Sequence, residues 1–173
     1  MQLHQLRSTD GTGTLSYILT DEQTRRAVII DPNIEDLEEI RRAVQELRAQ
    51  VTHIVETHTH ADHISATNEL KKLYGATLIM HENTKNKWKV VDEGDKFGIG
   101  DILRANAKLE IDRYVDGNDT LDMDSLKIKF MHTPGHTDNH LSILVDDNVF
   151  TGDLLPFKEA APVGGRVGCE GEG

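Results

Sequence analysis

Apolar and polar positions along the chain switch between two periods. Leu15, Tyr17 and Leu19 alternate with Ser16, Ile18 and Thr20, and Ala27-Val28-Ile29-Ile30 is a short apolar run closed by Asp31-Pro32, so both segments predict buried strands. From Ile34 the apolar residues fall three and four apart, at Leu37, Ile40, Val44 and Leu47, with charges between them. That spacing predicts an amphipathic helix, with Asn33 as its N-cap. Residues 51–56 predict another strand, 65–74 a helix closed by Gly75, and 76–80 a further strand. The order β-β-α-β-α-β predicts a layered α/β protein. Residues 82–124, interrupted by Gly94, Gly98, Gly100 and Gly117, predict short strands and loops. Beyond them Leu126, Ile128 and Phe130 alternate with Lys127, Lys129 and Met131, a strand with one face inward. Strands at 140–145 and 148–150 follow, joined by a turn at Asp146-Asp147. After Phe157 no apolar period survives.

Length and charge narrow the class. The chain has 173 residues, the length of one domain, and its 19 Lys and Arg against 30 Asp and Glu give a net charge of −11. This acidic balance argues against a nucleic-acid partner, which would show clustered cations. The Lys85-Asn86-Lys87-Trp88-Lys89 stretch reads as a solvated helix end. No stretch approaches the roughly 18 apolar residues of a membrane crossing, and residues 1–7 do not form a basic-then-apolar leader. With Cys169 the sole cysteine, the expectation is a soluble, cytoplasmic protein in a reducing compartment.

The chemistry is concentrated in three segments. Thr57-His58-Thr59-His60-Ala61-Asp62-His63 places four potential metal ligands just past a predicted strand, where a loop can turn them inward. Thr133-Pro134-Gly135-His136-Thr137 follows a second strand, and Thr151-Gly152-Asp153 a third. Three ligand-bearing turns, each after a strand, describe one cleft at one end of a sheet. Among the other histidines, His4, His53 and His81 read as packed or surface residues. His132 and His140 flank the His136 turn and are candidates for touching substrate or supporting the ligands. Asp31 reads as a helix cap rather than as a tie at the sheet edge.

Together these residues resemble the metallo-β-lactamase superfamily, in the order His58, His60, Asp62, His63, then His136, then Asp153, over roughly residues 1–155. The resemblance implies an α/β fold of αββα sandwich type, incomplete at the C-terminus, as a single domain over 1–173 with 156–173 unmatched. Within the superfamily the chain is most similar to persulfide dioxygenases, relatives of glyoxalase II. The similarity is carried by residues 57–65 and by Thr133-Pro134-Gly135-His136-Thr137-Asp138. It implies one Fe(II) per chain held by His58, His136 and Asp153, with His60, Asp62 and His63 orienting ligands and relaying protons. The implied reaction is oxidation of glutathione persulfide, or a similar small thiol persulfide, by O2 to sulfite.

Two alternatives stand beside this one. One is a zinc hydrolase of the glyoxalase II type acting on a glutathione thioester. His58, His60 and His136 would hold one Zn(II), Asp62 and His63 would help hold a second, and Asp153 would bridge. That ligand set calls for another histidine after Asp153, and residues 154–173 contain none. The other is an inactive, truncated member of the fold, or a protomer completed by a partner in a homo-oligomer. Arg166, in Gly164-Gly165-Arg166, and His140 are the candidate substrate-binding residues.

Overall fold

A computed structural model describes residues 1–9, 11–86 and 109–155. In chain order the elements are β1 (Gln2–Arg7), β2 (Leu15–Thr20), β3 (Arg26–Ile30), a 3-10 turn (Ile34–Asp36), α1 (Leu37–Glu46), β4 (Gln50–Val55), α2 (Ala61–Ile64), α3 (Thr67–Tyr74) and β5 (Thr77–His81). A second 3-10 turn (Glu82–Asn86) follows, then β6 (Arg113–Val115), β7 (Thr120–Met123), β8 (Leu126–His132), β9 (Leu141–Val145), β10 (Asn148–Phe150) and a last 3-10 turn (Gly152–Leu154).

The strands form a six-stranded sheet in the order β1-β2-β3-β4-β5-β6 and a four-stranded sheet in the order β10-β9-β8-β7. In the larger sheet β1, β2 and β3 are antiparallel, whereas β3 through β6 run parallel. The smaller sheet is antiparallel throughout. The apolar run of β3 explains the layering, because successive side chains point to opposite faces. Ile29 packs with Ile18, Ile54 and Leu78 against Ile40 and Val44 of α1 and Leu70 of α3. Its neighbours Val28 and Ile30 face the other way, onto Ile128, Phe130 and Ile143 of the smaller sheet. The result is helices, sheet and sheet, the expected metallo-β-lactamase-type arrangement as far as the described residues reach.

Local differences from the sequence reading have physical causes. β1 was not expected, since only Leu6 of its residues is buried and an edge strand leaves little apolar signature. The helix expected over 65–74 is α3, closed as expected by Gly75 in the left-handed conformation at φ 63°, and a separate short helix, α2, precedes it. Asn33 does cap the 3-10 turn before α1, its side chain accepting from Glu35 N at 2.9 Å. Asp31 is not a cap; it is buried and its carboxylate faces the ends of β4 and α2. Asp21 ties the two sheets together, accepting from the backbone N–H of Gln23, Thr24 and Ser125 and from the Ser125 hydroxyl. Arg166, Cys169, the basic stretch beyond Asn86, and Gly94, Gly98 and Gly100 lie outside the described residues.

Candidate metal centre

The three ligand-type turns meet at one edge of the two sheets. The parallel strands β3 and β4 end at Ile30 and Val55, just before Asp31 and Thr57-His58, while β8 and β10 of the antiparallel sheet lead to the Thr133–His136 turn and to Asp153. Crevices beyond the carboxyl ends of parallel strands are where open α/β sheets place their sites. One donor atom each from His58, His60, His136 and Asp153 lies within 4.8 Å of the others. His58 Nε2 is 3.9 Å from Asp153 Oδ2, and His136 Nε2 is 3.4 Å from the same oxygen. The dioxygenase reading places His60 behind the ligands and the zinc reading groups it with His58 and His136; its Nδ1 lies 2.9 Å from His136 Nε2, inside the same donor group. His63 Nε2 is 3.2 Å from Asp153 Oδ1 and 3.5 Å from Asp62 Oδ2.

Asp31 organises this group from behind. Its Oδ1 accepts from Thr57 N at 2.7 Å, and its Oδ2 accepts from the Thr57 hydroxyl at 2.6 Å and faces His63 Nδ1 at 2.9 Å. The Thr57 proton is therefore committed to Asp31. His58 Nδ1, 3.0 Å from Thr57 Oγ1, must be the donor of that contact. The neutral His58 ring then carries its lone pair on Nε2, a buried atom with no hydrogen-bond partner. A buried imidazole nitrogen left unpaired and facing other ligand-type atoms is what a divalent metal ion would satisfy, so the residues present fit such an ion.

Charge agrees with this. Burial, followed by the neighbouring His63 and His60, pushes His58 down to about 2 and keeps it neutral. Burial alone would also lower His63, but the carboxylates of Asp31, Asp153 and Asp62 overcome it and raise the ring to about 11. Contact with His63, against the opposing effect of burial, brings Asp153 down to about 2, so it stays ionised. The pocket thus favours positive charge at its centre.

A cleft of about 530 Å3 opens beside this group, lined among others by Arg7, Tyr17, Asp62, His63, His136 and Asp153. Burial, with Asp31 nearby, raises the Tyr17 hydroxyl to about 12, and its ring meets Phe150 edge-on at 4.7 Å. His140, a candidate for touching substrate or supporting the ligands, is fully buried, its Nδ1 3.1 Å from Thr133 Oγ1 and its ring stacked on His58 at 5.2 Å. It sits within the fold, immediately before β9 begins. His132 stacks on His81 at 4.0 Å, and its Nε2 contacts the Asp138 carbonyl at 2.8 Å, bracing the turn that carries His136. Asp31, Thr57, Tyr17 and Arg7 escaped the sequence reading as site residues. Of these only Asp31 carried a signal, an acidic residue breaking an apolar strand just before Pro32.

Comparison with known proteins is consistent with this geometry. Residues 9–169 match the sequence model of the metallo-beta-lactamase superfamily. The chain is 30% identical over 142 residues to a hydroxyacylglutathione hydrolase of Pelagibacter ubique, covering 81% of this chain and 50% of that protein. It is 25% identical over 158 residues to the mitochondrial persulfide dioxygenase ETHE1 of Bos taurus, covering 90% of this chain and 54% of that one. The crystal structure of ETHE1 from Myxococcus xanthus superposes with a TM-score of 0.70 at 32% identity, covering 91% of this chain and 59% of the other. The chain therefore spans about half the length of the curated relatives it matches.

Proposed function

Because the chain belongs to the metallo-β-lactamase superfamily, we propose that it is a metal-dependent enzyme acting on a small thiol derivative, and specifically a persulfide dioxygenase. The observation that carries a metal role is the unpaired, buried Nε2 of His58 among the donors of His136, Asp153 and His60. The dioxygenase reading draws on the likeness to ETHE1, which extends over nine-tenths of the chain. In this reading His58, His136 and Asp153 hold one Fe(II). When bound, Fe(II) would supply an open-shell redox centre that lets triplet O2 react with a closed-shell sulfur compound. The balanced reaction is RSSH + O2 + H2O → RSH + H2SO3, in which the terminal sulfur is oxidised and O2 takes up four electrons.

The chain's own residues position the reactants. Asp31 and Thr57 hold the His58 ring in one tautomer, and Asp31 also aligns His63 beside Asp153. Tyr17 keeps its proton at neutral pH and can donate a hydrogen bond in the cleft. Arg166 remains a proposed substrate contact carried by the resemblance alone.

One observation favours a second reading. His60 joins the same donor group, a three-imidazole, one-carboxylate set that also suits Zn(II), as in a thioester hydrolase of the hydroxyacylglutathione type. Elemental analysis of anaerobically purified protein, followed by sulfite release from glutathione persulfide under O2, separates the two. Iron with sulfite release supports the dioxygenase. Zinc with lactoylglutathione cleavage and no sulfite refutes it.

A further inference from the structure

The cleft holds two carboxylates and one permanent cation among its described lining residues: Asp62, Asp153 and Arg7. Arg7 ends β1, and its guanidinium lies over the β1–β2 loop. A Cβ built on Gly13 would come 3.5 Å from Nη2 and 3.6 Å from Nε. Both carboxylates are engaged elsewhere. Thr14 Oγ1 donates to Asp62 Oδ2, and Asp153 faces His63 at 3.2 Å and His136 at 3.4 Å. Among the described residues Arg7 forms no ion pair within 4.0 Å.

A guanidinium with no ion-pair partner among the described residues, at the rim of a ligand-sized cleft, presents its donors in a planar fork that matches a carboxylate. The chain as a whole, at −11, repels anions, so the local cation decides whether one is accepted. We propose that Arg7 is a specificity-determining residue that anchors a carboxylate on the thiol carrier. This rests on the reading of the site as acting on a small thiol carrier. It adds a recognition subsite on the β1–β2 side of the cleft.

The test uses the full chain loaded with its metal, with glutathione and glutathione diethyl ester as probes in calorimetric titration at low salt. Glutathione should bind more tightly than the ester. Arg7→Ala should weaken glutathione by about fivefold, the scale of one exposed ion pair, while leaving the ester unchanged. Arg7→Lys should keep part of the difference, and added salt should shrink it. Arg7 is exposed, so both variants should retain the wild-type melting temperature. Equal affinity for the two probes, equal loss of both in Arg7→Ala, or no glutathione binding would each overturn the proposal. So would competition by inorganic phosphate as strong as that of glutathione, which would make the site a general anion site. Binding needs no turnover, so these outcomes are independent of sulfite release. A chain that discriminates the probes but forms no sulfite sinks the dioxygenase reading alone. Where turnover is measured, Arg7→Ala should raise KM for glutathione persulfide and leave kcat in place.

Discussion

Gly152→Ala should damage the centre without touching a ligand. Gly152 sits between β10 and Asp153 at φ 47°, in the left-handed region. An added Cβ would lie 2.4 Å from Thr57 Oγ1, 2.9 Å from Thr57 Cβ and 3.0 Å from His140 Nε2. The left-handed backbone costs alanine about 1 to 2 kcal/mol, and forcing a methyl into a packed site adds roughly 1 to 3 kcal/mol. The sum, about 2 to 5 kcal/mol, corresponds to a fall of about 1 to 2.5 M in the urea midpoint at a slope of about 2 kcal/mol/M. Gly75→Ala is the internal control. Its φ is 63°, but no atom lies within 4 Å of the added Cβ. It should show only the backbone part, about 0.5 to 1 M of urea. Thr57 is also the group that fixes the His58 tautomer, so its displacement should lower metal affinity by about 10- to 100-fold in Gly152→Ala and not in Gly75→Ala. Urea titration and metal content of the dialysed protein measure both effects. Equal midpoints for the two variants, or wild-type metal retention in Gly152→Ala, would refute the reasoning.

Three other outcomes follow from the buried polar groups. Asp31→Ala frees Thr57 and His63 from their shared acceptor and should lower metal affinity by about 10- to 100-fold, measured by competition with a chelator; unchanged affinity would deny Asp31 its organising role. Glu56 is buried, with Thr67 Oγ1 on its Oε1, and burial followed by Asp31 raises its carboxyl well above the ordinary range. The folded state holds that proton after the unfolded chain releases it near about 4.3, so stability falls as pH rises toward the raised value. Glu56→Gln should flatten this slope in thermal melts between pH 5 and pH 8, and identical slopes would contradict the assignment. Asp21, held well below the usual carboxylate range chiefly by the Ser125 hydroxyl, should contribute stability above about pH 3.9 that is lost as pH falls toward its folded value. Asp21→Ala should therefore melt lower at pH 7 and approach the wild type at acid pH; a constant gap would count against that role.

The chain's pattern alone determined the class of protein and the ligand turns. Residues such as Ala27–Ile30, apolar on both faces, announce a strand buried between two layers, and imidazoles placed just past strands announce a cleft, because both follow from local period and spacing. Resemblance to a known family supplied the order of layers and the reaction proposed for the site. Only the tertiary structure decided which groups share an atom's neighbourhood. His60 joined the donor group of His58, His136 and Asp153, His140 was placed in the core, Asp31 became the hub linking β3 to Thr57 and His63, and Arg7 came to the cleft rim. These pairings join residues dozens of positions apart. Sequence period reports which face a side chain occupies, whereas the strand register and loop paths that bring distant turns together arise only once two sheets have packed on a common core.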